Sequence, residues 1–324
     1  MIKRILILST ASLLLATSLA LAQGFPARHV TMVVPFAPAG PSDVVARLLS
    51  EAMRSALGQP VVVENAAGAG GSIGMGRVAR AAPDGYTVGL GAWNTGVVNG
   101  AMYNLSYDVV NDFEPVILLP ATPLFIGTKA AVPAKDLREL VAWLKVNQDH
   151  ASIGTSGIGT SPHVAAVMFQ NLAGSNAQIV HYKGGAPALQ DLLGGQIDIV
   201  INQTTLFLPH LAAGKVKVFA VLDKNRLAQA PDVPTVDEAG MPGFYLSSWN
   251  GLWAPKGTPR DVVAKLNAAV VAALNNPELR RKFSDLGQVI PPPEQLTSAF
   301  FGSYHKAEYD KWLPVIKAAG IKPQ

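Results

Sequence analysis

The sequence predicts an α/β protein built as two lobes. Its 324 residues exceed one small domain, and at roughly 100 to 200 residues per domain two units are expected. From Val30 onward, short β-branched runs alternate with amphipathic segments, the pattern of parallel strands joined by crossover helices. Two long strand-like stretches, within 116–128 and 244–253, are placed to carry the chain from one unit to the other.

The first lobe is predicted to begin with three βα units. Ser42 is expected to cap a helix that keeps a 3.6-residue period and ends at Gly58. A glycine-rich loop over 65–71 leads to a second helix, which stops near the turn at 83–85. The predicted strands are 30–36, 61–64 and 87–91.

The second lobe follows a first crossing, where 116–119 and 124–128 flank a turn-like triplet. Ser161 is the expected N-cap of a helix with Pro162 in its first turn. A second crossing over 244–253 returns the chain to helices that begin near 258, 277 and 293. The predicted strands of the second lobe are 151–154, one ending at His181, 197–201 and 216–222, and its other helices are 136–146, 187–193 and 204–213. We therefore assign 23–122 and 247–324 to the first lobe, and 123–246 to the second.

The N-terminal segment has the features of a secretory signal peptide. Lys3 and Arg4 precede an apolar run over 5–21, and small residues at 20 and 22 resemble a cleavage site. We predict that residues 1–22 are removed after Ala22 and that the protein is exported to the periplasm. A retained membrane anchor is the alternative, disfavoured because the apolar run is short and ends in this pattern.

Composition excludes several function classes. The 26 Lys and Arg against 22 Asp and Glu give a net charge of +4, but the basic residues form no cluster, so nucleic acid is not an expected partner. With no cysteine, disulfides and thiol catalysis are excluded. The six histidines lack close ligand spacing, and no nucleotide fingerprint occurs, so neither a metal nor a cofactor is predicted.

One motif raises an enzymatic alternative. Residues 70–74 fit G-x-S-x-G, in which a serine on a strand-to-helix elbow acts as a nucleophile. The preceding strand is predicted to end at Glu64, which places Ser72 beyond a loop rather than on an elbow, and no particular later Asp and His stand out. An exported serine hydrolase using Ser72 therefore remains an alternative, and we predict that the protein is not an enzyme.

Two loops at the carboxyl ends of predicted strands are the candidate ligand site. The loops 35–43 and 154–161 each precede a helix, where unpaired backbone N–H groups and the helix dipole bind anions without lysine or arginine. We expect the loops to clamp one carboxylate; ordinary capped βα turns are the alternative. Asp43 is expected to support its helix start, and His163 to cap or pack at its own, with a ligand contact as the lesser possibility.

Ordered motifs along nearly the whole chain after the signal peptide point to a family. They are 61–65 (VVVEN) with 68–71 (GAGG), 83–87 (PDGYT), 107–108 (YD) with 112–116, 182–188 (YKGGAPA), 191–198 (DLLGGQID) and 231–236 (PDVPTV). In these segments the sequence resembles the Bug (Bordetella uptake gene) family, the extracytoplasmic solute receptors of tripartite tricarboxylate transporters.

The resemblance implies a two-lobed, type II-like periplasmic-binding-protein fold with two crossing strands as a hinge. It implies closure on a small carboxylated solute held by the loops around 39–43 and 156–163, often through water, and no catalysis. The implied partners are a large and a small membrane subunit driven by an ion gradient, with the receptor itself a monomer. A receptor that presents its ligand to a membrane sensor is an alternative that the sequence does not separate from uptake.

Three positions depart from the family pattern. Ala39 stands where the first loop commonly has glycine, and Asn202 stands where an acidic side chain is frequent, which argues against an ammonium-bearing ligand. Trp93 replaces a small residue; we expect its indole to line the cleft and favour a flat, aromatic acid, with a buried core tryptophan as the alternative. The predicted ligand-binding residues are Phe36, Ala39, Gly40, Ser42, Asp43, Trp93, Asn94, Ser156, Gly157, Gly159, Thr160, His163 and Asn202.

Overall fold

The computed structural model describes residues 24–318, so the predicted signal peptide lies outside the described residues. β-Branched and other apolar residues form the strands, most of which are buried. The strands are β1 (Val30–Val34), β2 (Val61–Asn65), β3 (Thr87–Ala92), β4 (Phe113–Lys129), β5 (Ser152–Thr155), β6 (Gln178–His181), β7 (Ile199–Gln203), β8 (Val216–Val221) and β9 (Ser247–Pro255).

Helices follow most of the strands, as the alternating pattern predicts. Gly58, in a left-handed conformation with φ of 67°, ends the first helix where it was expected to end. A π-helical turn, Asn94–Val98, follows β3. The helices are α1 (Pro41–Leu57), α2 (Ser72–Ala79), α3 (Asn99–Met102), α4 (Leu137–Asn147), α5 (Ser161–Ala173), α6 (Gly185–Leu193), α7 (Thr204–Ala212), α8 (Arg260–Leu274), α9 (Pro277–Asp285) and α10 (Ser298–Ala318).

The strands form a mixed sheet in the order β2-β1-β3-β9-β4-β7-β5-β6, with β8 also paired to β4. β1 pairs in parallel with β2 and β3, and β5 pairs in parallel with β6 and β7. β9 runs antiparallel to β3 and β4, and β7 and β8 run antiparallel to β4. The carboxyl ends of parallel strands in each half are therefore available for ligand-binding loops.

The strand β4 belongs to both halves of the sheet. The two strand-like segments predicted around the first crossing are one 17-residue strand. Its first part pairs with β9 as far as Pro123 opposite Ser247, and its second part pairs with β7 from Leu124 opposite Gln203. We call the elements on the β9 side (β1–β3, β9, α1–α3 and α8–α10) the first lobe, and those on the β7 side (β5–β8 and α4–α7) the second.

The second crossing lies immediately before β9. The amide of Leu246 still donates to the carbonyl of Leu222 in the second lobe at 3.1 Å, whereas Ser247 already pairs with Pro123. The lobe boundaries at 122/123 and 246/247 remain predictions, and the changes of strand pairing lie next to both.

Three apolar clusters stabilise this arrangement. One lies in the first lobe, where α1 and α8 pack on β1, β3 and β9, and one lies in the second, around Phe125 and Phe207. The third extends through both lobes and includes Trp93, Trp249 and Trp312. Because apolar burial is the main favourable term in folding, each lobe has a core of its own and the two also share part of their stability through the third cluster.

Candidate functional site

A cavity of about 780 Å³ opens between the two lobes, at the carboxyl ends of β1, β3, β5 and β7. Its first-lobe wall consists of residues 36–42, Ala92, Asn94 and Ser248. Its second-lobe wall consists of Ser156, 160–162, 183–187, Asn202, Gln203, Thr205 and Leu206. The size lies within the range of small-molecule sites in proteins.

The structure brings most of the predicted ligand-binding residues to this one cavity. Eight of them line the cavity: Phe36, Ala39, Gly40, Ser42, Asn94, Ser156, Thr160 and Asn202. Four others do not line the cavity but form hydrogen bonds within the loops that line it: Asp43, Gly157, Gly159 and His163. Trp93 belongs to neither group.

The loop after β1, residues 35–43, is called loop A. The structure corrects the expected cap: α1 begins at Pro41 with Gly40 as N-cap, and no side chain caps it. Proline suits the first helical position because its fixed φ is helical and its missing N–H would be unpaired there anyway. The hydroxyl of Ser42 instead donates to Oδ1 of Asn250 at 2.9 Å, which ties loop A to β9. No side chain caps the first backbone N–H groups of α1, and residues 40–42 at this helix start line the cavity.

Asp43 fixes the conformation of loop A. Its side chain is 2% exposed, and Oδ2 accepts from the amide of Ala39 and from Nε of Arg47, both at 2.9 Å, while Oδ1 accepts from Nδ2 of Asn65 at 2.9 Å. Burial opposes ionisation, but the hydrogen bonds from Arg47, Asn65 and Ala39 outweigh it and lower the pKa of Asp43. Asp43 is therefore an ionised positioning residue.

Ala39 adopts a conformation that favours glycine. Its φ is 62°, in the left-handed region, where a Cβ costs about 1–2 kcal/mol. Glycine, which the resemblance implies at this position, would adopt this backbone conformation without that cost. The bond from its amide to Asp43 helps to hold this conformation.

The loop after β5, residues 156–163, is called loop B and is capped by its own side chains. Thr160, not Ser161 as predicted, is the N-cap of α5: its Oγ1 accepts from the amide of His163 at 3.4 Å and donates to the carbonyl of Gly157 at 2.7 Å. Pro162 is then the second residue of α5, still within its first turn. The hydrogen bond from the Thr160 hydroxyl to the carbonyl of Gly157 closes the loop.

His163 stabilises loop B through a hydrogen bond to its backbone. Its Nδ1 accepts the amide hydrogen of Gly159 at 3.1 Å, and the ring of His181 lies 4.5 Å away, centroid to centroid, in an edge-to-face arrangement. Burial, and secondarily the nearby His181, lowers the pKa of His163 to about 4. The ring is therefore neutral at pH 7, as an Nδ1 acceptor must be.

Asn202, at the end of β7, connects loop B to the second-lobe wall. Its side chain is 1% exposed, and Oδ1 accepts from Oγ of Ser156 at 3.0 Å and from the amide of Gln203 at 2.9 Å. Within 24–318, its Nδ2 has no hydrogen-bond partner.

The expectation that Trp93 lines the cleft is wrong. Ala92 and Asn94 on either side line the cavity, but Trp93 is 1% exposed and packs edge-to-face on Trp312 with a centroid distance of 5.7 Å. Trp93 has helical backbone angles and leads into the π-helical turn, so its side chain departs in a different direction from its neighbours. The structure therefore gives no support for stacking of an aromatic ligand on this indole.

Sequence reasoning missed several wall residues, above all Lys183. Lys183 follows β6, and Gly184 to Pro187 start α6 beside it. The motif 182–188 served only to identify the family, although its position after a parallel strand was a usable signal. Ser248, next to the second crossing, was also missed because it lies on an antiparallel strand.

The features of a hydrolase do not assemble around Ser72. Its Oγ donates to the carbonyl of Ala69 at 2.7 Å, and Ser72 does not line the cavity. Across 24–318, no group of three or more acidic, histidine or cysteine side chains is arranged to hold a metal ion. A second cavity, about 390 Å³, lies along α9 and is lined by none of the predicted residues.

Comparisons with known proteins agree with this geometry. The family model described as "Tripartite tricarboxylate transporter family receptor" matches residues 45–321. The chain belongs to this family. Its similarity to BugT of Bordetella pertussis, 34% identical over 305 residues that cover 93% of this chain and 92% of BugT, confirms the resemblance to Bug proteins. The family is one of solute-binding receptors rather than enzymes, so the hydrolase alternative is rejected.

Two solved structures extend the comparison to the fold. The periplasmic binding protein BugD is 39% identical, with a TM-score of 0.79, and the match covers 92% of this chain and all of BugD. MatC of Rhodopseudomonas palustris, solved with bound malate, is 40% identical, with a TM-score of 0.78 and coverage of 90% of this chain and all of MatC. The predicted α/β periplasmic-binding-protein fold is confirmed. Among residues 24–318, we find no helix long and apolar enough to cross a membrane.

Proposed function

We propose that this family member captures a small organic carboxylate in the cavity between its lobes and delivers it to a tripartite transporter. One observation carries the proposal: the N-termini of α1 and α5 form opposite walls of the same cavity, with Gly40 on one side and Ser161 on the other. Helix N-termini attract anions through unpaired N–H groups and the helix dipole. A carboxylate between them would be held by both lobes at once.

Hinge closure around the ligand follows from the same geometry. The walls come from different lobes, and β4 and the segment before β9 connect these lobes. A ligand that contacts both walls binds the closed arrangement better than an open one, and this difference in affinity is what drives closure.

The proposal includes export and membrane partners. Residues 1–22 would direct the chain to the periplasm and be cleaved after Ala22, leaving a monomeric receptor. A large and a small integral membrane subunit would then take up the solute. The family membership supports transporter partners, and the chemistry of the N-terminal sequence supports export.

A thermal-shift screen tests the binding step. We expect aliphatic carboxylates to raise the melting temperature in proportion to RT ln(1 + [L]/Kd), and their neutral amide analogues to leave it unchanged. If no carboxylate stabilises the protein, or if the amides stabilise it equally, the proposal is wrong.

Two matched substitutions locate the binding site. Ala186→Trp places an indole in the cavity wall and should abolish the ligand-dependent shift, whereas Ala213→Trp, at an exposed site outside the cavity, should preserve it.

A separate assay checks the rejected hydrolase alternative. Ester turnover is measured for the wild type and for Ser72→Ala, and we expect no turnover in either protein.

A further inference from the structure

The second cavity, about 390 Å³ in volume, lies along α9 and has a basic wall. Arg280, Arg281 and Ser284 line it. Residues three and four apart on a helix share a face, so Ser284 lies one turn beyond both arginines. The other described wall residues are Gln288 and Ile290, so none of them is acidic.

Both guanidinium groups can still bind an anion. Neither Arg280 nor Arg281 takes part in an ion pair within 24–318. The carboxylate of Glu278, which lies near Arg281, is paired with Lys282 at 2.8 Å. Nη1 of Arg280 donates to the carbonyl of Leu274 at 3.2 Å, which positions this side chain and leaves its other N–H groups for a ligand.

Ser284 and Gln288 add a donor and an acceptor to the same wall. Oγ of Ser284 accepts from Nε2 of Gln229 at 2.7 Å, so the hydroxyl keeps its own hydrogen for an acceptor in the cavity. Gln288 is 8% exposed, and within 24–318 its Oε1 has no hydrogen-bond partner. A buried acceptor without a donor costs free energy, which a ligand O–H would recover.

The cavity also lies where α9 meets the second lobe, apart from the two crossing strands. Gln229, which follows β8, donates to the carbonyl of Ser284 at 2.8 Å as well as to its hydroxyl. Oγ1 of Thr204, at the start of α7, donates to the carbonyl of Gly287 at 3.3 Å. When the Ser284 hydroxyl donates to an anion, its oxygen becomes a better acceptor for Gln229, because linked hydrogen bonds polarise one another.

We infer that the second cavity binds inorganic phosphate, and that bound phosphate strengthens the contact between α9 and the second lobe. Phosphate oxygens can accept from both guanidinium groups and from the Ser284 hydroxyl. At pH 7.5 phosphate still carries a proton to donate to Oε1 of Gln288, whereas sulfate carries none and would place a charged oxygen against this acceptor. The inference does not depend on the proposed function, because the two cavities share no wall residue.

Isothermal titration calorimetry at pH 7.5 tests the inference on the full mature protein. The buffer contains about 0.15 M NaCl, which screens diffuse attraction to surface arginines. We expect phosphate to bind saturably at one site and sulfate to bind at least tenfold more weakly. Equal affinity for the two anions, or no saturable binding of phosphate, would overturn the inference.

Substitutions locate the phosphate. Arg280→Met and Arg281→Met should each weaken phosphate binding about tenfold, because each removes a charge-assisted hydrogen bond. Gln288→Met should weaken the binding of phosphate but not of sulfate. Arg54→Met is the matched control, since Arg54 is exposed on α1, lines neither cavity and takes part in no ion pair within 24–318. An equal loss in this control would reduce the effect to net charge and overturn the site.

Hydrogen exchange tests the contact between the lobes. We expect saturating phosphate to slow amide exchange over 284–289 and 227–230, and the same concentration of sulfate to have no such effect. Gln229→Ala should remove the protection of 227–230, because the bonds to Ser284 are lost. Unchanged exchange over 227–230 in the wild type with phosphate bound would confine the ligand to α9 and overturn the effect on the second lobe.

Discussion

Loop A and loop B face each other across the cavity, yet they are held by opposite chemistry. In loop A, an ionised and buried Asp43 accepts three hydrogen bonds, and α1 begins without a side-chain cap. In loop B, a neutral His163 and the hydroxyl of Thr160 hold the turn, and α5 is capped. Loop A thus offers more free N–H groups to a ligand, while loop B is the one that mild acid can disturb.

Removal of the carboxylate of loop A should have the largest effect. We expect Asp43→Ala to lower the free energy of unfolding by roughly 3 kcal/mol, because it deletes three charge-assisted hydrogen bonds at a buried site. Ligand affinity should fall with it, since Ala39 loses the partner of its amide. Urea unfolding and calorimetric titration measure both quantities.

Arg47→Ala is the control for that substitution. The Arg47 side chain is 56% exposed, and its loss leaves the bonds from Asn65 and Ala39 in place, so we expect a cost of about 1 kcal/mol or less. Equal losses in the two variants would mean that the ion pair, rather than the buried acceptor, maintains loop A.

A pH titration should affect loop B before loop A. The folded pKa of His163, about 4, lies below its unfolded value of about 6.5, so its contribution to stability is complete above pH 6.5 and is lost as the pH falls toward 4. We expect a loss on the order of 2 kcal/mol. The pKa of Asp43 is lowered, so the contribution of loop A persists through this range and declines only below about pH 3.8.

Comparing the free energy of unfolding against pH for wild type and His163→Asn isolates the contribution of His163. Oδ1 of asparagine can replace Nδ1 as the acceptor for the Gly159 amide, and asparagine does not titrate between pH 6.5 and 4. Burial also lowers the pKa values of His181 and His305, so their titration contributes to both curves. Parallel stability curves for the two proteins would contradict the assignment of the acid response to His163.

The cap of loop B should have a smaller effect. Thr160→Ala removes the N-cap of α5 and the bond to the carbonyl of Gly157, with an expected cost of about 1 kcal/mol. Faster amide hydrogen exchange over 157–163 would accompany it. Thr160→Ser retains the hydroxyl and should restore both readouts; failure of this rescue would indicate that the methyl group, not the cap, is needed.

The smallest effect is expected from Ala39→Gly. Relief of the left-handed alanine is partly offset by the greater flexibility of glycine in the unfolded chain, so we expect a gain of less than about 1 kcal/mol. Ala69, with φ of 45°, provides a comparison outside the cavity: Ala69→Gly should have a similar effect on thermal stability but leave ligand affinity unchanged. A change of affinity in both variants would contradict a local role for loop A.

Most strands and helices could be predicted in order from the sequence, because periodicity and turn residues are local signals. The exceptions are the π-helical turn and the short helix α3 after β3, for which no element was predicted. The sequence also located the two loops, since ligand sites follow the carboxyl ends of parallel strands. The N-caps of α1 and α5 were each misplaced by one or two residues, because serine, threonine and glycine next to a proline give overlapping signals.

The other site residues that were wrong or missed depend on the direction of a side chain or on contacts between residues far apart in the sequence. A π-helical turn that the sequence does not announce directs Trp93 into the core. The environment of Asn202 depends on Ser156, 46 residues away, and on Gly185. Lys183 reaches the cavity only because β6 is part of the same sheet half as β5 and β7. Such relationships arise from tertiary packing rather than from local pattern.

The strand β4, which both lobes share, also limits the insertions and deletions that this fold can accept during evolution. Successive side chains of a strand point to opposite faces, so inserting or deleting one residue near Pro123 would invert every later position, exchanging the faces that meet α7 and the central core. Point substitutions can vary the cavity freely, but length variation must occur elsewhere, in the surface turns. Diversification of ligand preference on this scaffold should therefore proceed by replacement of side chains rather than by insertion at the junction.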